Sequence, residues 1–566
     1  MRGKARGVVI GLILILVVFG GGVAYGMGYR DVGYTVGASD EEYSNSDYVY
    51  ANAAADSYAA EAFGVYIEPS GTELELFENT EDGDILAVSS VVDFWEEGGY
   101  AWSAGVFSNQ RDVAEFANAG EIEAIASADD SYYYNYLSAR ADGVIFSGAD
   151  VESFSNTGTI SAAAYAGDVG DDRYYYPSGI LAVANGVCFH ELLVGSFTNS
   201  GEILSEAAAG DAIEYYSMVA AGASGVYFDE SAVGSFENSG DILVESRVGD
   251  ASGDYSFVSA GASGVSIGGS VGSFENSGNS IVVSATAGDA LGSSGYGYLY
   301  SSAVYAWAWG GDISGGVEES FTNSGDILVS AAIGDNYLDT DTRIEIPDTG
   351  GVYIGASVPD FTNSGNIKVT ATAGTGYGGD DYYADVYVQD IYGVDLASGA
   401  ERFDNSGVIS VEAEAGDAEG YFTWVEVKDV YGVYLGGGTE SFTNSGEIAV
   451  TATSGDVNGF YNARTWAADV AGVFIEGNVG SFENSGESII VNATTGDANG
   501  SSSSVWAYDI SGVEIWGEVG EFSNSGDILV NTTVGDANGD YASYATTYSL
   551  SDNAGTYGIY IGNDVN

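Results

Sequence analysis

Twelve copies of Phe-x-Asn, each followed a few residues later by Ile, divide most of this 566-residue chain into units of nearly constant length. The first copy begins at Phe77 and the last at Phe522, and successive Phe residues lie 38 to 47 residues apart. A chain that repeats at a fixed period builds one supersecondary unit many times, and each unit buries its apolar face against its neighbours. The period therefore constrains the architecture more strongly than any single residue does.

Each unit contains two segments whose apolar and polar residues alternate, which indicates β-strands. The first segment starts at Gly-Val, as in 225–228, and its middle position, occupied by Tyr227 or Cys188, is predicted to face solvent. The second segment follows Asn-Ser-Gly, as in 241–244. Gly accepts backbone conformations that other residues avoid, and Asn bonds to local backbone, so we expect a tight turn between buried Phe and the second strand.

The Asn of the repeat is present in all twelve copies, which exceeds what a turn preference explains. If the units stack in register, the carboxamides form a ladder in which each side chain bonds to the one above and below. The predicted ladder comprises Asn79, Asn118, Asn156, Asn199, Asn238, Asn276, Asn323, Asn363, Asn405, Asn444, Asn484 and Asn524.

These patterns predict an all-β fold, a right-handed parallel β-solenoid of about twelve ~40-residue repeats. A β-propeller is the alternative, but twelve blades are too many for a closed ring. We assign residues 29–63 to a lead-in and residues 64–566 to the solenoid, which ends mid-repeat. Whether each repeat forms one coil or two stays open at this point.

The half of each unit between a Gly-Asp dipeptide and the next Gly-Val varies in length and content. Tyr, Trp, Asp and Gly concentrate there, as in 171–176 and 305–309. We interpret this half as a series of outward-facing excursions, where binding is expected.

The chain is strongly acidic, with 83 Asp and Glu, 13 Lys and Arg, and a net charge of −70. Such a polyanion repels nucleic acid and anionic lipid, which argues against both as partners. Apolar residues make up 45% of the chain, which excludes a disordered acidic tail.

Residues 1–28 have the features of a secretory signal peptide. A basic start (Arg2, Lys4, Arg6) precedes an apolar run, and the small residues Ala24 and Gly26 provide a cleavage site. The alternative is an uncleaved N-terminal anchor, because 7–29 is just long enough to cross a bilayer. Either reading places the remaining chain at the cell surface or outside the cell.

Carboxylates recur at repeat spacing both after Asn-Ser-Gly and in the Gly-Asp dipeptides. Stacked about 4.8 Å apart, they repel by ~1 kcal/mol per neighbour even in water, so either salt or bound calcium must offset the repulsion. The segments 456–459 and 536–540 resemble the opening of a calcium loop. Calcium ligands are therefore predicted at Asp456, Asn458, Asp497, Asn499, Asp536, Asn538 and Asp540. The alternative is plain, solvated acidic turns.

No catalytic constellation emerges from the sequence. Cys188 and His190, the only Cys and the only His, are read as a chance pair on the outward face of a strand. β-Solenoids also host polysaccharide lyases and hydrolases, but these need a localised acid–base group, and basic residues such as Lys428 and Arg464 are scattered singly along the sequence. We expect no enzyme activity and no cofactor other than calcium.

The Phe-x-Asn-Ser-Gly-x-Ile unit, preceded by strands such as Gly351-Val352-Tyr353-Ile354, resembles the repeats in passenger regions of bacterial autotransporter-type surface proteins. The resemblance extends over roughly 64–566. It implies a secreted, surface-displayed rod, often an adhesin, whose partners are host or cell-surface glycans or proteins, or copies of itself. The C-terminal membrane anchor of such proteins is missing from the sequence, so membrane attachment is expected only through the leader or such a missing anchor. A structural subunit of an extracellular layer or filament is the alternative function.

Overall fold

The computed structural model describes residues 29–37, 40–55, 59–69, 72–91, 99–130, 136–170, 177–213, 216–252, 256–292, 302–338, 341–379, 382–486, 488–539, 542–547 and 555–563. The predicted leader, residues 1–28, lies outside the described residues, as does the Asp- and Tyr-rich segment 171–176. No helix in the described ranges has the length and apolarity that crossing a membrane requires.

The chain winds through three parallel β-sheets, named A, B and C in the order in which each coil visits them. Sheet A contains 23 strands, and sheets B and C contain thirteen each. Each strand pairs in parallel with the equivalent strand of the neighbouring unit. The all-β parallel β-solenoid is therefore confirmed.

Sheet A consists of one principal strand per coil and several short additions. The principal strands are Tyr29–Val36, Ala59–Ile67, Gly99–Asn109, Tyr136–Ser147, Pro177–His190, Tyr216–Asp229, Ser256–Ile267, Ser302–Ile313, Thr342–Ile354, Tyr383–Leu396, Ala418–Leu435, Val457–Ile475, Ser502–Ile515 and Thr556–Ile561. The additions are Val169–Gly170, Ala212–Ile213, Ala251–Ser252, Ala290–Gly292, Asn336–Leu338, Gly376–Gly378, Ala498–Asn499, Ala537–Asn538 and Ala542–Thr547.

Sheets B and C have more uniform strands, and every strand of sheet B ends on an Asn. Sheet B contains Glu42–Asn45, Leu74–Asn79, Val113–Asn118, Val151–Asn156, Leu193–Asn199, Ala232–Asn238, Val271–Asn276, Val317–Asn323, Val358–Asn363, Ala400–Asn405, Thr439–Asn444, Val479–Asn484 and Val519–Asn524. Sheet C contains Tyr48–Ala55, Asp84–Val91, Glu121–Ala128, Thr159–Ala166, Glu202–Ala209, Asp241–Val248, Ser280–Ala287, Asp326–Ile333, Asn366–Ala373, Val408–Ala415, Glu447–Ser454, Ser488–Thr495 and Asp527–Thr533.

Each repeat forms one coil. Phe116 stands opposite Phe154, which in turn stands opposite Phe197, so one Phe-x-Asn copy advances the stack by one strand. Thirteen strands spaced about 4.8 Å apart make a rod roughly 55–60 Å long.

In the part of the chain that the structure describes, the stack of strands extends back to Tyr29 rather than to Gly64. Residues 29–55, assigned from the sequence to a lead-in, form one strand in each sheet, and these pair in register with the first repeat. Tyr43 stands opposite Phe77, and Asn45 stands opposite Asn79. The repeat pattern misses this coil because Tyr replaces Phe and Asp47 replaces the Gly of the turn.

The core is built from files of identical side chains. The Phe residues of successive repeats stack with nearly parallel rings, with ring centroids 4.6–4.9 Å apart from Phe77 to Phe522. Aromatic pairs of this kind add about 0.5–1.5 kcal/mol each beyond the area that they bury. Ile, Val and Ala of sheets A and C fill the remaining interior.

A close contact between sheets A and C explains two columns of the repeat together. A Cβ at Gly225 would overlap Ile242 Cγ2 and lie 2.6 Å from the carbonyl oxygen of Gly264 in the next coil. The same relation links Gly143 to Ile160, where a Cβ would lie 2.5 Å from Cγ2. The Gly of Gly-Val and the Ile after Asn-Ser-Gly are therefore two sides of one contact.

The interpretation of the variable half as excursions is wrong where the structure describes it. Residues 305–309, Tyr-Ala-Trp-Ala-Trp, lie inside the strand Ser302–Ile313, with Ala306 and Ala308 fully buried in the core. Tyr305, Trp307 and Trp309 point to the outer face of sheet A. The strict alternation of small and aromatic residues is the period-two pattern of a strand.

Replacement of Gly225 by Ala is expected to destabilise the protein by about 1–3 kcal/mol, because the added methyl group overpacks the contact with Ile242. Gly222→Ala in the same strand is the matched control, since a Cβ there meets no atom within 4 Å. The control should leave stability unchanged or raise it by about 0.4–1 kcal/mol through loss of unfolded-state entropy. Urea unfolding of both variants measures the difference, and equal stabilities would contradict the proposed contact.

Candidate functional site

The repeated Asn residues form a continuous buried ladder. Each Nδ2 donates to Oδ1 of the Asn in the next coil over 2.7–2.8 Å, from Asn45 through all twelve predicted positions to Asn524. Most of these amides also donate to the carbonyl oxygen of the turn Gly two residues later, as Asn238 does to Gly240 over 3.2 Å. The ladder therefore holds the turn and the register together, and it leaves little of the side chain free for ligands.

The Gly-Asp dipeptides form a second file with a structural role. Oδ1 of each Asp accepts the backbone N–H of the residue at the same place in the next coil, as Asp456 does from Asp497 over 2.7 Å. A Cβ at Gly496 would lie 2.5 Å from Asp456 Oδ1, so the residue before each Asp must be small. Charge-assisted N–H···O⁻ bonds of this kind offset part of the repulsion within the file.

The residues predicted to bind calcium fall into two separate files. Asp456, Asp497 and Asp536 belong to the backbone-capping file. Asn458, Asn499 and Asn538 form a short exposed amide ladder, with Nδ2···Oδ1 distances of 3.0–3.2 Å. Asp540 lies outside the described residues. The described part of the chain has no group of three or more His, Cys, Asp or Glu placed to hold a metal, and calcium binding stays a prediction.

Cys188 does not lie on a solvated face, contrary to the sequence interpretation. It packs beneath the outer surface of sheet A in an apolar cluster with Phe63, Ala104 and Ile145, and burial raises the pKa of its thiol to about 12. His190 contacts a different group, because its Nδ1 lies 2.6 Å from Asp229 Oδ2. The two side chains therefore do not form a shared metal site.

The outer face of sheet A is the part of the rod in which chemistry differs from coil to coil. Near the C-terminal half, Trp309, Tyr392, Tyr431 and Phe474 form a second apolar cluster outside the core, each no more than 6% exposed. This cluster covers the outer face of sheet A. Its side chains bury one another, so their burial does not require a ligand.

Five successive coils place an Asp with a left-handed backbone beside this cluster. The residues are Asp348, Asp390, Asp429, Asp469 and Asp509, with φ between 52° and 58°. Asp tolerates this conformation better than most residues, and the tyrosine two positions later donates to the carboxylate at 390 and 429 over 3.1–3.2 Å. The sequence signal that could have found them is an Asp three residues before the Gly of Gly-Val.

Charged residues also gather on this face. Arg343 forms an ion pair with the buried Glu345 at 2.7 Å, and Gln389 donates to the same carboxylate over 2.7 Å. On the neighbouring strands, Lys428 lies 3.4 Å from Glu426. Arg343 and Lys428 lie two coils apart, and each pairs with a carboxylate of its own strand.

One carboxyl in this group has an altered proton affinity. Burial raises the pKa of Asp385 to about 6, while a hydrogen bond from Tyr387 and the charge of Arg343 oppose the shift. Glu426 and Asp341 add negative charge nearby, which raises the pKa further.

A cleft of about 580 Å³ lies at the start of the long strands Ala418–Leu435 and Val457–Ile475. We call it the aromatic cleft. Its lining residues are Tyr377, Gly378, Glu419, Gly420, Tyr421, Asn458, Gly459, Phe460 and Asn499. The glycines stand in one file on neighbouring coils, and a Cβ on any of them would approach backbone oxygen atoms rather than open space.

Sequence reasoning missed this cleft, although it singled out two of its residues, Asn458 and Asn499, as calcium ligands. A usable signal exists in the pattern Asp-x-(Glu/Asn)-Gly-aromatic, which occurs at 417–421 and again at 456–460. Because the two segments stack in register, Glu419 stands opposite Asn458 and Gly420 opposite Gly459, and the aromatic residue after each glycine also lines the cleft.

Asp385→Asn is expected to change how stability depends on pH. The folded-state pKa of about 6 exceeds the ordinary value of about 3.9, so ionisation disfavours the folded state. This cost is absent below about pH 4, grows as pH rises, and is complete above about pH 6. The advantage of the variant over the wild type should therefore increase by up to about 2 kcal/mol between pH 4 and pH 7, after allowance for partial solvent exposure.

Urea unfolding at a series of pH values measures this advantage. Asp84→Asn, at an exposed position, is the matched control. A stability difference between Asp385→Asn and wild type that is constant from pH 4 to pH 7 would contradict the shifted pKa.

No family model, curated protein or solved structure matches this chain. The parallel β-solenoid is therefore established by the strand pairing alone, and the resemblance to autotransporter passengers stays a prediction.

Proposed function

We propose that this chain is a secreted, non-catalytic surface protein, a passenger-like or adhesin-like rod that presents an acidic, aromatic face. Its partners are glycans or proteins of a host or cell surface, or copies of the same chain. The observation that carries the proposal is the contrast between an interior repeated almost without change and an outer face of sheet A that differs in every coil.

The contrast supports a display function because a rod with a constant interior can vary its outer residues without loss of register. The outer strands extend to 18 and 19 residues at Ala418–Leu435 and Val457–Ile475, which are the longest strands described. Length and aromatic content both peak there, so the C-terminal half offers the largest surface for contact.

A structural subunit of a layer or filament is the second candidate. The observation in its favour is the last described coil, where Phe522, Ile528 and Val530 pack against the core but stay partly exposed. Among the described residues, the strands that carry them pair with a neighbour on one side only, and a strand edge of this kind can pair with a further strand.

Antibody labelling of intact cells of the source organism tests the proposal. We expect label on the cell surface, and we expect a variant that lacks residues 1–28 to stay inside the cell. Scattered label supports a displayed rod, whereas a continuous coat supports the layer. Wild-type protein found only inside cells would contradict both.

A further inference from the structure

The aromatic cleft exposes apolar rings that the fold does not need. Phe460 is 74% exposed, the highest value among the large hydrophobic residues described, and Tyr461 beside it is 53% exposed. Tyr421 lies one coil below, with its ring centroid 5.7 Å from that of Phe460 and the two planes 24° apart. The paired rings present a nearly flat apolar platform at the rim of the cleft.

Two polar side chains, each with a group that has no partner among the described residues, line the cleft beside this platform. Glu419 and Asn458 stand directly opposite each other on adjacent strands. Asn458 Oδ1 accepts from Asn499, which leaves the Asn458 Nδ2 hydrogens free of contacts with described residues. The Glu419 carboxylate likewise has no hydrogen-bond or ion-pair partner among the residues that the structure describes. One free donor and one free acceptor therefore lie one strand spacing apart, about 4.8 Å.

This composition selects one kind of ligand. A pyranose ring has a face of C–H groups that stacks on aromatic rings, and its edge carries adjacent hydroxyls that both donate and accept hydrogen bonds. The volume of about 580 Å³ lies within the ~300–1,000 Å³ typical of small-molecule sites. Among the residues that the structure describes, Glu419 is the one acidic residue in the lining and no basic residue lines the cleft; the chain also has a net charge of −70, so anionic sugars are repelled.

We propose that the aromatic cleft binds a neutral glycan, with one pyranose ring stacked on Tyr421 and Phe460 and adjacent hydroxyls held by Glu419 and Asn458. Gly378, Gly420 and Gly459 also line the cleft, and a Cβ on any of them would approach backbone oxygen atoms of the chain. This inference rests on the proposed role of the chain as a surface rod, and it assigns that rod a ligand class and a binding site.

Isothermal titration of the purified full chain tests the proposal, with cellohexaose, maltohexaose and chitohexaose as neutral probes. Hexagalacturonate serves as the anionic counter-probe and hexalysine as the cationic peptide counter-probe. We expect at least one neutral hexasaccharide to bind. Phe460→Ala should weaken that binding about tenfold, as expected for loss of one stacking partner. Glu419→Gln and Asn458→Ala should weaken it as well.

Tyr136→Ala is the matched control, because Tyr136 is an aromatic residue 60% exposed in a distant coil. It should leave the affinity unchanged. Phe460→Ala should unfold at the same temperature as wild type, since its ring is mostly outside the core, so lost binding cannot be ascribed to misfolding.

Three results would overturn the inference: no binding of any neutral hexasaccharide, binding unaffected by Phe460→Ala, or preferential binding of hexagalacturonate or hexalysine. Failure here is distinguishable from failure of the proposed function. A chain that labels the cell surface but binds none of the neutral probes contradicts the glycan site alone. A chain retained inside cells contradicts the surface role, whatever it binds in solution.

Discussion

A buried carboxamide must find both a donor and an acceptor, and in this rod the equivalent Asn residues of the two neighbouring coils provide them. Each ladder Asn from Asn79 to Asn484 uses Nδ2 toward one neighbour and Oδ1 toward the other. A buried polar group left unpaired costs about 1–3 kcal/mol, so a slip in register would be penalised at every coil at once. The stacked Phe rings, the contact between Gly225 and Ile242 and the bond between Asp456 and Asp497 all require that same register.

Because the interior alone determines the register, the outer face of sheet A is free to differ from coil to coil. Its N-terminal part buries Cys188 under aromatic residues, whereas its C-terminal part carries the ion pair of Arg343 with Glu345, the carboxyl of Asp385 and the aromatic cleft. The residues whose chemistry differs from coil to coil are therefore concentrated in the coils with the longest strands. A rod organised in this way separates the residues that maintain shape from those available for contact.

Features that repeat at the period could be predicted from the sequence, and features that depend on neighbouring coils could not. The Phe and Asn files could be predicted because the same residue types recur in every copy of the repeat. Asn45 was missed because Tyr43 replaces Phe there, and the strand at 305–309 was missed because length variation was taken as evidence of a loop. Cys188 was expected on a solvent-exposed face. The aromatic rings that cover it belong to other coils, so the sequence of its own strand does not reveal them. The cleft likewise needs Gly420 and Gly459 to be adjacent in space, which only the strand register reveals.

Distances between spin labels test the in-register stack most directly. Glu121, Asn366 and Asp527 occupy one exposed column of sheet C, six and then four coils apart. With Cys188 replaced by Ser, nitroxides at pairs of these positions are measured by double electron–electron resonance. One strand spacing per coil predicts roughly 29 Å, 19 Å and 48 Å for the pairs 121–366, 366–527 and 121–527. Distances that fail to increase in proportion to the number of coils would contradict the stacked solenoid.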